Sequence, residues 1–367
     1  MVTRCAVLAL AMAMAWAFSA GAQEYVPPFY KYDHLYTPKE LGKPHGSSMV
    51  ELDNGDILAT WYVATEETNT EAQIMGAVWD KKKWEWGAPR VIIAKEYSKS
   101  VGNTALYKDE DGIIWMFFAA VRFGGWSGST IHYVQSRDGG KTWSPGAKLV
   151  GSLGHLPRNN PIPLGGRRML APFFIDFWYE TNMVGSYTMR IEHKNGEIIS
   201  REEAHLDDHD AIQPALARLP DGRILMLARD KSSRFVRRSY SADEGKTWAP
   251  AQVTDIPNPG AAVSIIYVED VGAVLMAYNH AREAGNPLSM AFSMDGGVTF
   301  TRLPDLAADP ENPKVGFTYP TLMQASDGLI HVLWTHNDRE SLKHSVFSIS
   351  WLAAEMKKAE ARELSKK

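Results

Sequence analysis

Apolar residues along this chain occur in short runs, and each run follows a turn-like phrase centred on glycine. Six such phrases recur, namely ELDNGDILATWY, KDEDGIIWMFFA, PLGGRRMLAPFF, RLPDGRILMLAR, VEDVGAVLMAYN and QASDGLIHVLWT. Their glycines are spaced 50 to 57 residues apart, at Gly55, Gly112, Gly166, Gly222, Gly272 and Gly328. A short apolar run behind a tight turn is typical of a buried strand. The pattern therefore predicts six repeated units of about fifty residues.

A second phrase, SxDxGxTW, recurs as SRDGGKTW at 136–143, SADEGKTW at 241–248 and SMDGGVTF at 293–300. The interval predicts a weaker copy within 189–200, where only a turn-like NG remains. An aspartate in a turn accepts backbone hydrogen bonds, glycine permits positive φ, and the aromatic residue buries a large area. We interpret the phrase as a hairpin that stabilises the fold, without a catalytic role for Asp138, Asp243 or Asp295.

The strand-like units are not interrupted by any helical periodicity between about residues 40 and 350. Six units of short strands at this spacing predict an all-β fold, a six-bladed β-propeller with four-stranded blades, over residues 30–352. The charged and Ala-rich segment 353–367 is expected to be a tail outside the core, either irregular or a frayed helix.

The N-terminal residues have the pattern of a signal peptide. Arg4 precedes the apolar stretch CAVLALAMAMAWAF, and small residues lead to Ala22. We expect residues 1–22 to be removed near Ala22, which predicts a secreted or periplasmic protein. A membrane anchor is the alternative, but the run is shorter than the ~20 residues of a spanning helix. The only cysteine, Cys5, lies in this segment, so no disulfide is expected in the mature chain.

Composition and motifs argue against several function classes. The net charge is −4, which gives no basic field for nucleic acid, so an anionic ligand would need local arginines. The chain has no HExxH, DxDxDG or Gly-rich phosphate loop, and we predict neither a metal nor a cofactor. DDHDA at 207–211 is interpreted as a solvated acidic turn. We predict no membrane span in the mature chain, which is expected to act as a monomer.

The SxDxGxTW phrases resemble the Asp boxes of sialidases and of other BNR-repeat proteins. The resemblance covers roughly residues 40–350 and extends to the order of phrases at the predicted strand ends: PHGSSMVELDNG, VGNTALY, PRNNPIPL, IQPALARLPDGRILMLARD, PNPG, YNHAREAGNPLSMAFSMDGG and FTYPTLMQASDG. It is most similar to a BNR subgroup that lies apart from the well-characterised sialidases. The resemblance implies a secreted glycoside hydrolase that is exo-acting on a terminal acidic sugar, sialic acid or a related one, of a glycan or oligosaccharide.

The resemblance also implies roles for individual residues. Tyr319 in FTYPTL resembles the sialidase nucleophile. A neutral tyrosine suits an anomeric carbon that already carries a carboxylate, because a second anion would be repelled. Arg229 and Arg282 resemble two of the three arginines that bind the substrate carboxylate, and a guanidinium can pair with a carboxylate through two parallel hydrogen bonds.

The chain departs from the sialidase pattern at three positions. His45 stands where the first arginine is expected, and Gln213 stands where a glutamate activates the tyrosine. Glu71, with Glu66 and Glu67 close by, lies nearest the place of the acid/base aspartate. A glutamine cannot accept a proton, so His45 or a glutamate between 66 and 71 would have to act as the base.

Polar residues at the predicted strand ends complete the candidate site, since a propeller gathers the loops of every blade around one axial mouth. The candidates for catalysis are Tyr319, Glu71, Glu66 and His45. The candidates for substrate binding are Arg229, Arg282, Gln213, Asn103, Asn160, Asn279 and Arg339. Further strand-end candidates are Asp176, His336 and Trp126, the last as a sugar-stacking platform or as a core residue.

Two alternatives stay open from the sequence. One is a propeller polysaccharide lyase, or a glycosidase, that acts on uronic-acid glycans and uses His45. The other is a carbohydrate-binding propeller without catalysis, which the replacements at His45 and Gln213 favour.

Overall fold

The computed structural model describes residues 30–35, 41–65, 71–177, 184–232 and 235–365. The predicted signal peptide, Glu66 and Glu67 lie outside the described residues. Within the described ranges the chain forms strands β1–β26 and one α-helix, α1.

The strands form six sheets, each a blade of the propeller, and β1 (Tyr30–Leu35) comes first in the chain. Blade 1 contains β2 (Lys43–Glu51), β3 (Ile57–Ala64), β4 (Gln73–Asp80), β5 (Glu85–Trp86) and β6 (Arg90–Ile93). Blade 2 contains β7 (Ser100–Lys108), β8 (Ile114–Val121), β9 (Ser129–Ser136) and β10 (Ala147–Val150). Blade 3 contains β11 (His155–Pro157), β12 (Ile162–Pro163), β13 (Arg168–Ile175), β14 (Gly185–Lys194) and β15 (Glu197–His205). Blade 4 contains β16 (Ala211–Arg218), β17 (Ile224–Asp230), β18 (Phe235–Ser241) and β19 (Gln252–Pro257). Blade 5 contains β20 (Ser264–Val268), β21 (Ala273–Asn279), β22 (Leu288–Ser293) and β23 (Thr301–Ala307). Blade 6 contains β24 (Thr318–Gln324), β25 (Ile330–His336) and β26 (Ser341–Phe347).

The predicted six-bladed all-β propeller is confirmed. Neighbouring strands within each blade are antiparallel, and the second strands of blades 1 and 2, β3 and β8, are buried along their whole length. Continuous burial is expected where a sheet is covered on both faces, and it explains the unbroken apolar runs of the sequence.

The glycines of the six repeated turn phrases all lie in the turn between the first and second strand of a blade, and all have positive φ, from 62° to 87°. Only a residue without Cβ adopts this region without a steric cost. Because strand direction alternates, these turns and the Asp boxes share one face, here named the turn face. The opposite face, here named the mouth face, carries the ends of the second strands and the starts of the inner ones.

The ring is closed by the first and last strands of the described chain. β1 pairs antiparallel with β26, from Tyr30 opposite Phe347 to Leu35 opposite Leu342. The first strand of the described chain thus supplies the fourth strand of blade 6. Joining the two ends covers the edge of β26, which would otherwise present unpaired backbone groups.

The Asp boxes are hydrogen-bonded hairpins, as the sequence predicts. The carboxylate of Asp138 accepts bonds from the Thr142 amide (2.9 Å), the Thr142 hydroxyl (2.6 Å) and the Ser136 hydroxyl (2.8 Å). The side-chain and backbone bonds from Thr142 lower the pKa of Asp138 to about 2. Asp243 and Asp295 repeat the same bonds in blades 4 and 5. The expected weaker copy is the β14–β15 hairpin, which turns at Asn195 and Gly196.

The C-terminal segment differs from the expectation of a charged tail outside the core over 353–367. Residues 353–364 belong to α1 (Ile349–Leu364), whose first turn is capped by the Ser348 hydroxyl, which accepts from the Trp351 amide. Leu352, Met356 and Ala359 are buried in the core shared by blades 5 and 6. These three residues follow helical spacing and form one narrow apolar stripe among charged neighbours. In the described part of the chain, no helix is long and apolar enough to cross a membrane.

Two buried histidines pack beside the strand that closes the ring. His331 Nδ1 and His344 Nε2 are 3.0 Å apart, and both rings contact the indole of Trp79 in blade 1. Burial lowers the pKa of His331 to about 4, and burial, with the nearby charges of His331 and Lys31, holds the pKa of His344 well below its usual value. Both rings are therefore neutral at neutral pH.

We expect the free energy of unfolding to fall as the pH is lowered from about 6.5, the ordinary pKa of histidine, towards 4. The unfolded chain takes up protons in this interval that the buried rings cannot, and one histidine of this kind contributes about 3 kcal/mol across it. Denaturant titrations at a series of pH values measure the slope of the free energy of unfolding against pH. His331→Gln should make it shallower, whereas His205→Gln, at an exposed position, should leave it unchanged. An identical slope in wild type and His331→Gln would contradict this account.

Candidate functional site

Four inner strands are deformed in the same way near the mouth face. The pairing of each with its neighbour shifts register between His45 and Ser48, Gly102 and Thr104, Ile212 and Ala215, and Thr318 and Thr321. A residue with positive φ lies at each shift, namely Gly46, Asn103, Gln213 and Tyr319. Such bulges redirect side chains, and positive φ in a residue other than glycine costs about 1–3 kcal/mol. Three strained polar residues therefore occupy equivalent positions around the axis.

Tyr319 is the centre of a hydrogen-bond network that joins blades 4 and 6. Its phenol oxygen accepts a bond from Gln213 Nε2 (3.0 Å) and a longer one from an Arg229 guanidinium nitrogen (3.4 Å). The same guanidinium donates to Gln213 Oε1 at 3.2 Å. Arg229 reaches this point from the mouth-face end of β17. The structure thus brings together three residues that the sequence selected separately.

His45 packs directly on Tyr319. The centroids of the two rings are 4.0 Å apart, and His45 Nδ1 is 2.9 Å from the hydroxyl of Thr335 in β25. Burial, followed by the charges of Arg339, Arg158 and Arg229, holds the pKa of His45 well below its usual value. The imidazole is therefore neutral at neutral pH. If Nδ1 donates to Thr335, Nε2 carries the lone pair and can accept a proton.

Arg158 lies beneath this network and was not among the residues selected from the sequence. Its side chain is 1% exposed, and its guanidinium donates to the carbonyls of Ser47 in blade 1 and Pro320 in blade 6, both at 3.1 Å. The guanidinium carbon is 4.9 Å from the centroid of the Tyr319 ring. The only signal in the sequence is that Arg158 precedes the asparagines of PRNNPIPL, a strand-end phrase.

Positive charge dominates the site. Burial lowers the pKa of Arg158 only to about 10, so the guanidinium stays protonated at neutral pH. Within the described residues, neither Arg158 nor Arg229 forms an ion pair with a carboxylate, and no carboxylate is hydrogen-bonded to Tyr319. The charge of Arg229, with the buried charge of Arg158 beneath it, favours the binding of an anion, and the Arg229 guanidinium matches the geometry of a carboxylate.

Of the three remaining binding candidates, Arg339 and Asn103 lie close to His45 and Gly46, and Arg282 lies beside Phe235. Arg339 has a φ of 75° in the turn between β25 and β26, and its charge acts on His45. Asn103 is buried, with its side-chain oxygen beside Gly46. Arg282 is exposed, and its guanidinium carbon lies 4.4 Å from the centroid of the Phe235 ring.

Two predicted substrate-binding residues have structural partners instead. Asn279 is fully buried, and its amide donates to the carbonyls of Gly285, Pro287 and Phe317. Asn160 accepts from the Ser48 hydroxyl (2.6 Å) and donates to the Met49 carbonyl (2.7 Å). The amide nitrogens of both residues brace backbone carbonyls, whereas Asn279 Oδ1 is buried with no hydrogen-bond partner among the described residues.

The predicted carboxylates are not brought to Tyr319. Glu71 is exposed at the loop before β4 and makes no hydrogen bond or ion pair with a described residue. Glu66 lies outside the described residues. Asp176 forms an ion pair with Lys231 at 2.7 Å. Trp126 is half-buried over Gly102, edge-on to Tyr62, and packs in the core.

Comparison with known proteins agrees with the fold and the repeats. The family described as BNR repeat-like domain matches residues 55–332. None of the curated proteins compared with the chain matches it. Among solved structures, the Hadza microbial sialidase Hz136 superposes with a TM-score of 0.70 at 14% identity, over 84% of this chain and 66% of that protein, slightly less than two thirds of its length.

Two other solved structures cover nearly the whole of their own chains. A protein of unknown function from Dyadobacter fermentans gives a TM-score of 0.68 at 14% identity, over 87% of this chain and 99% of that one. An intramolecular trans-sialidase from Ruminococcus gnavus gives a TM-score of 0.68 at 13% identity, over 87% of this chain and 98% of that one. At these identities the likeness establishes a shared fold.

We expect Arg158→Met to destabilise the protein by about 2–4 kcal/mol, because two charge-assisted hydrogen bonds between blades are lost; the Ser47 carbonyl keeps only the bond from the Thr321 hydroxyl, and the Pro320 carbonyl loses its bond from Arg158. The free energy of unfolding of Arg158→Lys should lie between those of Arg158→Met and wild type, since one ammonium cannot reproduce the two hydrogen bonds of the planar guanidinium. Arg167→Met is the control, because it removes only an exposed ion pair with Asp111, worth at most about 1 kcal/mol. Denaturant unfolding measures all three, and equal losses for Arg158→Met and Arg167→Met would contradict the bridging role.

Proposed function

The chain belongs to the BNR repeat-like domain family, and on that premise we propose that it hydrolyses the glycosidic bond of a terminal sugar that carries a carboxylate. The observation that carries the proposal is the network of Tyr319, Gln213 and Arg229, with Arg158 beneath it. The substrate class is an exposed sialic acid, or a related acidic sugar, at the end of a glycan.

Arg229 is the carboxylate anchor in this proposal. Its guanidinium lies on the mouth-face side of the network and has no carboxylate partner among the described residues. A sugar carboxylate paired with Arg229 would bring its anomeric carbon towards the Tyr319 oxygen. The buried charge of Arg158 adds to the attraction without contacting substrate, since low polarity strengthens such interactions.

Tyr319 is the nucleophile. Its oxygen bonds to the anomeric carbon while the glycosidic bond breaks, and the proton that the phenol loses is passed to the departing oxygen. Water then attacks the same carbon and releases the sugar, and Tyr319 regains its phenol. Gln213 and Arg229 both donate to this oxygen, so they stabilise the negative charge that develops on it as its proton leaves. In this proposal His45, which is neutral and in ring contact with Tyr319, relays that proton to the departing oxygen, because its lowered pKa does not let it keep the charge.

A methylumbelliferyl α-sialoside tests the proposal, because its leaving group needs little protonation and the assay reports attack by Tyr319. We expect fluorescence from wild type and a loss of kcat of about 100-fold or more in Tyr319→Phe. Arg229→Lys should mainly raise KM, because the two parallel hydrogen bonds to the sugar carboxylate are lost. Turnover retained in Tyr319→Phe would exclude the nucleophile. No turnover of the sialoside or of a methylumbelliferyl uronide would reject the hydrolase, and calorimetric binding of the same sugars would then favour a non-catalytic carbohydrate-binding propeller.

Gln213→Glu provides a second test, because it places a carboxylate 3.0 Å from the phenol oxygen. A hydrolase that relies on Tyr319 should gain turnover of the sialoside by about tenfold or more, since a nearby base contributes ~10²–10⁴. Gln213→Met, which removes the polar group at a similar length, is the matched control and should lose activity. A decrease in both variants would show that the amide itself is required.

A second candidate is β-elimination on a uronic-acid glycan, favoured by the contact between neutral His45 and Tyr319. An elimination needs a base for the proton next to the carboxylate and an acid for the departing oxygen, and these two side chains could supply both. Arg229 and Gln213 would then hold the uronate carboxylate. The unsaturated product absorbs in the ultraviolet and is not formed by hydrolysis. Its appearance from a polyuronate, abolished in His45→Ala, would replace the first candidate with the second.

Secretion is part of the proposal, because glycan termini lie outside the cell. N-terminal sequencing of protein recovered from the expressing host's periplasm or medium should begin at Gln23, after removal of residues 1–22. Recovery of an uncleaved chain in the membrane fraction would instead favour the anchor.

A further inference from the structure

The turn between β25 and β26 has an unusual backbone, and we name it the left-handed turn. Its three central residues, Asn337, Asp338 and Arg339, have positive φ values of 53°, 50° and 75°. Such conformations are uncommon in residues other than glycine, and they persist only where the surrounding structure fixes them. The turn lies on the mouth face, at the end of β25 that carries Thr335, whose hydroxyl contacts His45.

Asp338 fastens the left-handed turn to the segment that precedes Tyr319. The amide of Asp338 donates to the Gly316 carbonyl (3.0 Å), and its carboxylate accepts from the Gly316 amide (2.8 Å). Two bonds to one residue fix both the position and the orientation of the backbone there. A Cβ at residue 316 would lie 2.7 Å from Asp338 Oδ1, so this close approach requires glycine.

The next two residues of the same segment are held from the side of blade 5. The side-chain amide of Asn279 donates to the Phe317 carbonyl at 2.8 Å, and the Phe317 amide donates to the Gly285 carbonyl at 2.9 Å. Gly285 also packs closely on this segment, because a Cβ there would lie 2.5 Å from Thr318 Cγ2. Residues 316–318 are therefore restrained one after another up to the residue before Tyr319.

Tyr319 needs restraint on both sides because its own φ of 57° is strained. On its C-terminal side, the Pro320 carbonyl accepts from Arg158 at 3.1 Å. On its N-terminal side, the restraint begins with the two bonds between Asp338 and Gly316. A strained residue that is held at one end only relaxes by rotating its peptide units. For Tyr319, that rotation would move the phenol oxygen away from its two hydrogen-bond donors.

The left-handed turn also contributes to the charge of the site. After burial, the charge of Arg339 is the strongest cause that lowers the pKa of His45, ahead of the charges of Arg158 and Arg229. The turn therefore acts on the axial network at two points, through Gly316 and through Arg339. Strained residues that act on one site in this way are typical of positions that hold catalytic groups in place.

We propose that Asp338 is a positioning residue, which holds Gly316 and thereby keeps Tyr319 in its strained conformation at the centre of the network. This role rests on the proposed hydrolysis, in which Tyr319 attacks the sugar. Asp338 acts through the backbone of residues 316–319 and takes no part in the bonds that form or break.

Four variants of the full protein separate the hydrogen bond of Asp338 from its charge. Asp338→Ala and Asp338→Gly both remove the acceptor of the Gly316 amide, and glycine also tolerates the positive φ. Asp338→Asn removes the charge but keeps an acceptor oxygen. Glu340→Gln is the matched control, because it removes a charge from the same hairpin and still accepts from the Asn337 amide. Asp338 and Glu340 are both exposed, so the variants should fold, which thermal unfolding checks.

Turnover of the methylumbelliferyl α-sialoside gives the first readout. We expect Asp338→Ala and Asp338→Gly to lower kcat by about tenfold with little change in KM, since a misplacement of ~1 Å at a reacting group can cost ~100-fold. Asp338→Asn and Glu340→Gln should retain the kcat of wild type. A merely structural role would lower the unfolding temperature without this difference between kcat and KM.

NMR gives a second readout, which does not depend on turnover. Tyrosine rings are labelled with ¹³C, and Tyr319→Phe identifies the resonance of Tyr319. Its ring centroid lies 4.0 Å from that of His45, so the chemical shift reports this contact. We expect the resonance to move in Asp338→Ala and Asp338→Gly and to keep its position in Asp338→Asn.

Three outcomes would overturn the proposal. The first is an unchanged kcat in Asp338→Ala, and the second is an unchanged Tyr319 resonance in that variant. The third is an equal loss of kcat in Asp338→Ala and Asp338→Asn, which would assign the effect to the charge. If wild type does not cleave the sialoside, the hydrolysis fails, and the NMR comparison then decides alone whether Asp338 positions Tyr319.

Discussion

A single buried cation holds the centre of this propeller together. Arg158 extends from blade 3 across the axis and donates to backbone carbonyls of blades 1 and 6, the two blades at which the ring closes. Both carbonyls directly adjoin the bulged segments, so the positions of His45 and Tyr319 depend on the same guanidinium. Because Arg158 is bonded to carbonyls and not to a carboxylate, its charge remains available to the site above it. Arg158 thus affects the closure of the propeller, the orientation of the His45 and Tyr319 side chains and the electrostatic potential of the site.

The repeat architecture could be predicted from sequence because each unit carries its own local chemistry. The six turn glycines and the aspartates of the Asp boxes act through neighbours only a few residues away, and such effects are visible in a linear pattern. The stripe of Leu352, Met356 and Ala359 was missed because charged residues outnumber it, although its spacing is helical. Composition alone does not reveal a helix face that consists of only three apolar residues.

The site could be predicted only in part, because most of its bonds join distant blades. Tyr319, Gln213, Arg229 and His45 were found by resemblance and do converge. Asn279 and Asn160 have the same chemical groups as a substrate-binding residue, and only the three-dimensional positions of backbone carbonyls reveal that their amide nitrogens already have acceptors. Arg158 was missed for the reverse reason, since its partners Ser47 and Pro320 are more than a hundred residues away in the chain.

The pairing of β1 with β26 has a consequence for the order of assembly. The partners of Tyr30–Leu35 lie at the far end of the chain, so the ring cannot close until nearly all of it has been synthesised. Until then β26 has an open edge, and β1 has no sheet to join. Another molecule's β1 could occupy that edge, because the same backbone bonds would form. Exchange of this strand between copies is therefore the characteristic misassembly that the topology invites, and a high concentration of incomplete chains would promote it.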